Sequence, residues 1–403
     1  MSVNGLPVPE VPDLERMRRE RHDRLQRQLE RHGLDGLVLL GTSAVSYATG
    51  AVAPGVDNSR ALLLRPVAVV VRGDSAPHLF TPYPEGVPAE LPANHVHDAV
   101  FLELEHGAAE LALGIADLVA AGGRLAVDEL THPMARAFGA FELASAGAVL
   151  AAAKLHKTVD ELACIRTAQR INERAILDVQ PLLRPGVAQI DLSARFLRSI
   201  FEHGAEANGI DPIWQAMAPT RSAGPWTTTG DLTFPAASGD QVLDDGDVVW
   251  VDTGIHFAGY ASDFGRTWIV ADDPSPTARQ RSQFERWCDV MDAVLDVCRP
   301  GATALELDRA AVEANSGARP WMPHLYLAHG LGTDSAEMPM IGTDLGEAFD
   351  DALVLEPGMV VVLEPVIWDD GAAGYRAEEV FTITDDGWLQ LSDHPYDPYE
   401  RAR

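Results

Sequence analysis

The chain has 403 residues, 46% of them hydrophobic, and a formal charge of -29 from 60 acidic against 31 basic side chains. Its length exceeds the usual span of one hydrophobic core, which predicts two domains. So acidic a chain repels phosphate backbones and anionic lipid, which excludes nucleic acid and membrane surfaces as partners, and no stretch reaches the about 18 to 20 apolar residues of a membrane span.

The first residues, MSVNGLPVPEVPDLERMRRERHD, contain no apolar signal core, so the expected compartment is the cytoplasm. Residues 13–32 carry Leu14, Met17, Leu25 and Leu29 at helical spacing among arginines, which predicts an amphipathic helix with a solvated basic face. Apolar strands follow at 36–40, 61–71 and 77–81, then an Ala-rich helix at 107–121 and a strand at 124–127. That sequence of elements is an α/β domain with a mixed sheet, ending near residue 155. Lys154 and Lys157, the only lysines, flank the junction. Beyond it, residues 160–183 read as a long amphipathic helix, and residues 218–245, rich in Thr, Gly, Pro and Ala, as a long loop. Cys164, Cys288 and Cys298 are odd in number and lack metal-type spacing, so free thiols are expected and a disulfide is not.

Residues 156–403 contain an internal repeat. LDDGDVVWVD, ending at Asp252, recurs as LEPGMVVVLE, ending at Glu364, at an offset of 112 residues. Gly259, Tyr260 and Asp263 are answered by Gly374, Tyr375 and Glu378 at an offset of 115. Arg184-Pro185-Gly186 returns as Arg299-Pro300-Gly301, also 115 residues on. Two copies of one helix-and-hairpin unit place Asp252 opposite Glu364 and Asp263 opposite Glu378. Each of these acids closes or follows a buried apolar run without a Lys or Arg in it. Four carboxylates in one low-dielectric cleft drive each other's pKa upward, and divalent cations remove the conflict. His329, which opens His329-Gly330-Leu331-Gly332, supplies a fifth donor. One imidazole with four carboxylates is a hard, oxygen-rich set, suited to two ions about 3.5 to 4 Å apart that activate water; manganese or iron is favoured, with cobalt or zinc possible.

These motifs, DTGIHFAGYASDFGRTW, HGLG, LEPGMVVVLEP and YRAEE, resemble in order and spacing the five-ligand signature of the pita-bread superfamily, which includes aminopeptidase P, prolidase, methionine aminopeptidase and creatinase. The resemblance implies a creatinase-like N-terminal α/β domain over residues 1–155 and a pita-bread α+β catalytic domain over residues 156–403. It implies that Asp252 binds one ion, that Asp263 and Glu378 bridge the pair, and that His329 and Glu364 complete the second. Glu364 would also manage the proton of the attacking water. Arg376 matches a family arginine that fixes a ligand carboxylate, while Glu379 replaces the usual shorter Asp or Asn. A homodimer acting on a short peptide or small molecule is the implied assembly.

Two departures set this chain apart. The peptidases carry a His seven residues after the ligand His, where this chain has Ala336, and another upstream of the first Asp ligand, whereas no histidine lies between His203 and His256. Each lost donor to a developing oxyanion is worth about 3 kcal/mol. His256 is the candidate replacement, because strand alternation from Asp252 through Gly254 turns it to the same face; a hairpin tip in solvent is its plainer reading. His324, five residues before His329, faces away on that logic. Trp214, Trp226, Trp268 and Trp321 adjoin the ligands and are read as core residues or as stacking surfaces for substrate. The expected activity is hydrolysis of an amide C–N bond resembling that of Xaa-Pro peptidases, in a non-standard or small substrate. Alternatives are a lyase like the dimethylsulfoniopropionate lyase of the superfamily, whose N-terminal segment PDLERMRRERHDRL resembles, a creatinase-like amidinohydrolase, or an inactive binding module. Gly254 stands where that lyase has an additional Asp.

Overall fold

The computed structural model describes residues 2–54, 65–224, 241–272 and 275–398. It divides into two compact units, residues 12–154 and residues 155–403, the second joined by the N-terminal segment through Val11. That segment is held by Asp385, whose carboxylate accepts from Ser2 Oγ and from the backbone N–H groups of Asn4 and Gly5.

The N-terminal unit is built on a six-stranded mixed sheet in the order Val96–His97, His78–Phe80, Val67–Val71, Gly36–Leu39, Arg124–Val127, Glu142–Ser145. Val67–Val71 runs antiparallel to both neighbours, while Gly36–Leu39 is parallel to Arg124–Val127. Alternation along the central strand sends Leu37 and Leu39 to one core, with Leu25, Leu29 and Tyr47, and Val38 and Leu40 to another, with Leu111 and Ile115. Burial of both faces explains why these strands read as unbroken apolar runs. The first helix, Leu14–His32, starts at Asp13, whose side chain accepts from Arg16 N, and stops at Gly33. Its basic face is not wholly solvated, as the sequence suggested: Arg21 is buried with its guanidinium 5.3 Å from the Tyr47 ring centre. A planar cation stacks on an aromatic face as an ammonium group cannot.

The second unit shows the duplication element by element. Helices Val159–Val179 and Gln189–Glu202 and strands Ile213–Ala216, Val248–Thr253 and Phe264–Ile269 correspond to helices Ala278–Val297 and Ala304–Ala314 and strands Ala328–Gly330, Val360–Leu363 and Glu379–Ile383. Each copy has its own apolar core. The repeated glycines have a physical reason. Gly186 and Gly301 have φ of 85° and 87°, and Gly246 and Gly358 of 87° and 89°, a region costly for any residue with a Cβ. Gly186 N donates to Leu243 O, and Gly301 N to Leu355 O, each at 2.8 Å. The same turn thereby fastens the helix pair to the strand that leads to Asp252 in one copy and to Glu364 in the other.

Candidate metal centre

The strand pairing of each copy delivers its two acids to one place. Asp252 lies near the end of Val248–Thr253, directly across from Gly265, and Asp263 immediately precedes the strand Phe264–Ile269. Glu364 follows Val360–Leu363, and Glu378 precedes Glu379–Ile383. The copies meet where Glu378 N donates to Gly265 O at 3.0 Å and where Thr267 Oγ1 donates to Arg376 O and accepts from Arg376 N. Gly265 has no room for a side chain: a Cβ there would stand 2.5 Å from the Glu378 carboxyl carbon.

Asp252, Asp263 and Glu378 each present a carboxylate oxygen, and these atoms lie within 4.8 Å of one another. His329 Nε2 is 3.3 Å from Asp263 Oδ2 and 3.6 Å from Glu364 Oε1. The Gly330 carbonyl, 2.9 Å from His329 Nδ1, can only accept, so Nδ1 carries a hydrogen and Nε2 is the ring atom turned into the cluster. All five residues named from the sequence line one cavity of about 150 Å³.

Electrostatics at the cluster are those of a site short of positive charge. Arg376 is the counter-charge, donating to Asp252 Oδ2 at 3.1 Å and to Glu364 Oε2, and pairing with Glu378. Four carboxylates against one guanidinium leave a formal charge of -3, which one divalent ion reduces to -1 and two convert to +1. Burial, reinforced by Asp263 and Glu364 and opposed by Arg376, pushes the Asp252 carboxyl up to about 6. Burial likewise raises Glu378 well above the carboxylate range, against the pull of Arg376. Burial disfavours the His329 cation, but the Asp263 hydrogen bond and the charges of Asp263 and Glu364 outweigh it and raise the imidazole to about 9. A proton on Nε2 and a metal cation answer the same field. Glu378 Oε2 is buried without a hydrogen-bond partner, a costly state for a carboxylate oxygen that a cation would relieve. The donor set and the orphaned oxygen both fit divalent ions.

The long helix Val159–Val179 holds this arrangement from behind, which the sequence reading did not foresee. Gln169 exchanges two hydrogen bonds with the Asp263 backbone, at 2.7 and 3.2 Å. Asn172, fully buried, donates to Thr253 O and Ser262 Oγ and accepts from Thr253 Oγ1. The available signal was two carboxamides three residues apart on a buried helix face, which also carries Glu161 and Glu173.

Known proteins share this architecture. The model of metallopeptidase family M24 matches residues 163–385, and that of the creatinase/prolidase N-terminal domain matches residues 21–162. The chain belongs to metallopeptidase family M24, a family of metal-dependent hydrolases. It is 30% identical over 241 residues to the Xaa-Pro dipeptidase of Pyrococcus furiosus, covering 59% of this chain and 63% of that one, less than two thirds of its length. It is 25% identical over 374 residues to the peptidase YqhT of Bacillus subtilis, covering 90% and 95%. A prolidase structure from Thermococcus sibiricus superposes with a TM-score of 0.73 at 22% identity, covering 94% of this chain and 98% of that one. An X-Pro aminopeptidase structure from Thermotoga maritima gives 0.72 at 21%, covering 93% and 98%. These likenesses establish the pita-bread fold with its creatinase-like N-terminal domain; the lyase, amidinohydrolase and binding-module alternatives gain no support from them.

In this M24 chain the other singled-out residues fall in different places. Ala336 lines the cavity, so no imidazole stands at that position. His256 is half-buried on Ile255–Phe257 and is not among the residues lining the cavity. The alternation argument breaks at Gly254, where the strand ends; Ile255–Phe257 belongs to a separate small sheet. Burial lowers the His256 pKa, with Glu206 and Asp334 opposing. His324 is exposed and bonds Asp344 at 2.8 Å. Trp321 lines the cavity, Trp214 and Trp268 are core residues, and Trp226 lies outside the described residues. Glu379 turns to Gln390 and Ser392, and burial raises it to about 8 despite Arg266. Tyr326, overlooked in the sequence, lines the cavity with its ring edge-on to His329, centroids 5.1 Å apart. None of Cys164, Cys288 and Cys298 is in a disulfide.

Proposed function

We propose that Asp252, Asp263, His329, Glu364 and Glu378 hold two divalent ions, and that the protein hydrolyses an amide C–N bond in a short peptide or small amide, as the Xaa-Pro-type names of its relatives suggest. The observation that carries this reading is the convergence of carboxylate oxygens from both copies of the repeat on the His329 imidazole, beside an unpartnered Glu378 oxygen. Divalent ions there supply Lewis acidity, polarising a carbonyl and lowering the pKa of water. The oxygen-rich donor set favours manganese or iron(II) over zinc.

The chain's own residues do the rest. Glu364, fixed on one oxygen by Arg376, keeps Oε1 turned towards His329 and is the proton acceptor for the attacking water. Arg376 holds three of the acids at their spacing. With alanine at position 336, Tyr326, which lines the cavity beside His329, is the candidate donor to a developing oxyanion; burial, then Glu364 and Asp263, raise its pKa, so its hydroxyl stays protonated at any working pH. Trp250, Trp321, Met322, Leu325 and Val366 make the rest of the cavity predominantly apolar, which suits a compact side chain or ring. No helix among the described residues is long and apolar enough to cross a membrane. The reading includes a homodimer in the cytoplasm, which sedimentation and fractionation would test.

The deciding experiment reconstitutes metal-stripped protein separately with manganese, iron(II), cobalt and zinc. Each form is assayed on Xaa-Pro dipeptides, creatine-like amides and dimethylsulfoniopropionate. Metal-dependent release of free amino acid from a dipeptide is expected with manganese or iron(II). Turnover that persists in chelator, or lyase product alone, overturns the reading.

A further inference from the structure

A second group of donors lies in the N-terminal unit, apart from the proposed reaction. Asp74 sits in the turn between strands Val67–Val71 and His78–Phe80, His78 opens the latter, and His95 ends the short turn that leads into the edge strand Val96–His97. One ligand atom from each of Asp74, His78 and His95 lies within 4.8 Å of the others. His78 Nε2 is 3.1 Å from Asp74 Oδ2. Donors held about 2.0 Å from a tetrahedral ion stand about 3.3 Å apart, so this pair is already at ligand spacing.

The outer atoms of the group are arranged as supports. Asp74 Oδ1 accepts from Ser75 N at 2.8 Å, leaving Oδ2 to face the imidazoles. The Ala76 carbonyl, 3.2 Å from His95 Nδ1, can only accept, so that nitrogen carries the hydrogen and Nε2 bears the lone pair. His78 Nδ1 meets His97 Nε2 at 3.0 Å, which leaves His78 Nε2 as its inward atom. The Asp74 carbonyl is itself held by His22 and Gln26 of the first helix. His78 Nε2 donates to Asp74 Oδ2, so an ion binding there replaces that hydrogen, while His95 Nε2 already bears a lone pair; an outer nitrogen held by a carbonyl or a second ring is the pattern of histidines at metal sites. The His78 and His95 rings lie parallel, 4.1 Å apart, so closing on an ion requires one of them to tilt by side-chain rotation.

We propose that Asp74, His78 and His95 form a zinc-class divalent-cation site that fastens the edge strand of the N-terminal sheet. Two imidazoles and one carboxylate prefer a borderline ion, unlike the oxygen-rich cluster of the other unit. That edge strand pairs with its neighbour through only Val96 and His97, so a cation shared by His95 and the Asp74 turn ties it at a second point.

The test uses the full chain and zinc alone. Equilibrium dialysis should show one zinc fewer per chain in His95→Gln and in Asp74→Asn than in the unaltered protein. His97→Ala should retain the ion with affinity weakened roughly 10- to 100-fold. Equal zinc stoichiometry in folded variants overturns the proposal. Should a variant not fold, crystals of the unaltered chain soaked in zinc decide: anomalous density at the zinc edge within coordination distance of Asp74, His78 and His95 is expected, and its absence overturns the proposal.

Discussion

Replacing Asn172 by alanine isolates the support behind the candidate metal centre from the centre itself. Asn172 is fully buried and makes three hydrogen bonds, of 2.8 Å to Thr253 O, 3.0 Å to Ser262 Oγ and 3.0 Å from Thr253 Oγ1. Ser262 Oγ keeps another partner, the N–H of Ile255. Thr253 loses the acceptor of its buried hydroxyl, while its carbonyl stays opposite Phe264 in the strand pairing. One buried polar group left unsatisfied, at about 1 to 3 kcal/mol, puts the cost near 2 kcal/mol. Thr253 follows Asp252 and Ser262 precedes Asp263, so the slackening reaches both carboxylates, and metal affinity should fall roughly 10- to 100-fold, as for other outer-layer partners. Urea unfolding of the metal-free protein measures the first quantity, and calorimetric manganese titration the second. A stability loss with unchanged manganese affinity would show that the helix supports the fold without tuning the ligands, refuting the reasoning; Asn172→Asp, which faces two acceptors with an oxygen, should be no milder.

Tyr326→Phe should leave metal content unchanged and lower kcat by about 100-fold if the phenol meets the oxyanion; an unchanged kcat removes it from the reaction. His256→Ala, outside the cavity lining, should leave both metal content and turnover near those of the unaltered protein. A loss approaching the roughly hundredfold effect of a general acid or base would return His256 to the mechanism. The His394 imidazole, buried against Phe264 and Trp268, is lowered to about 4 by burial and by the Arg266 charge. Its folded pKa lies below the unfolded value of about 6.5, so the unfolded state takes the proton first. Stability should be full above pH 6.5 and fall by about 3 kcal/mol as pH drops towards 4. Urea midpoints measured across that window should lose most of this slope in His394→Gln; an equal slope in both proteins refutes the assignment.

The part of the site legible in the sequence is the four carboxylates that the duplication repeats, with His329 at the head of its glycine-rich turn. Left-handed φ at Gly186 and Gly301, and at Gly246 and Gly358, forces glycine into both copies, and a carboxylate at each strand end leaves a pattern that residue identity alone exposes. What stayed hidden depends on contacts between residues distant in sequence. The helix Thr42–Thr49, written TSAVSYAT, has poor intrinsic propensity and exists because Ala44, Val45, Tyr47 and Ala48 are buried. Period-two alternation placed His256 on the Asp252 face, but it holds only while a strand continues, and Gly254 ends that strand. Tyr326 belongs to no repeated motif, and its nearness to His329 follows from how the chain enters the strand Ala328–Gly330, which no spacing rule encodes. The same distinction bears on specificity. On the proposed reading the four repeated carboxylates and His329 hold the ions, whereas Tyr326, Trp321 and Ala336, which have no counterpart in the repeat, border the space left for substrate. Substitutions at Trp321 and Ala336 should therefore change which amide is cleaved while leaving the carboxylate cluster intact.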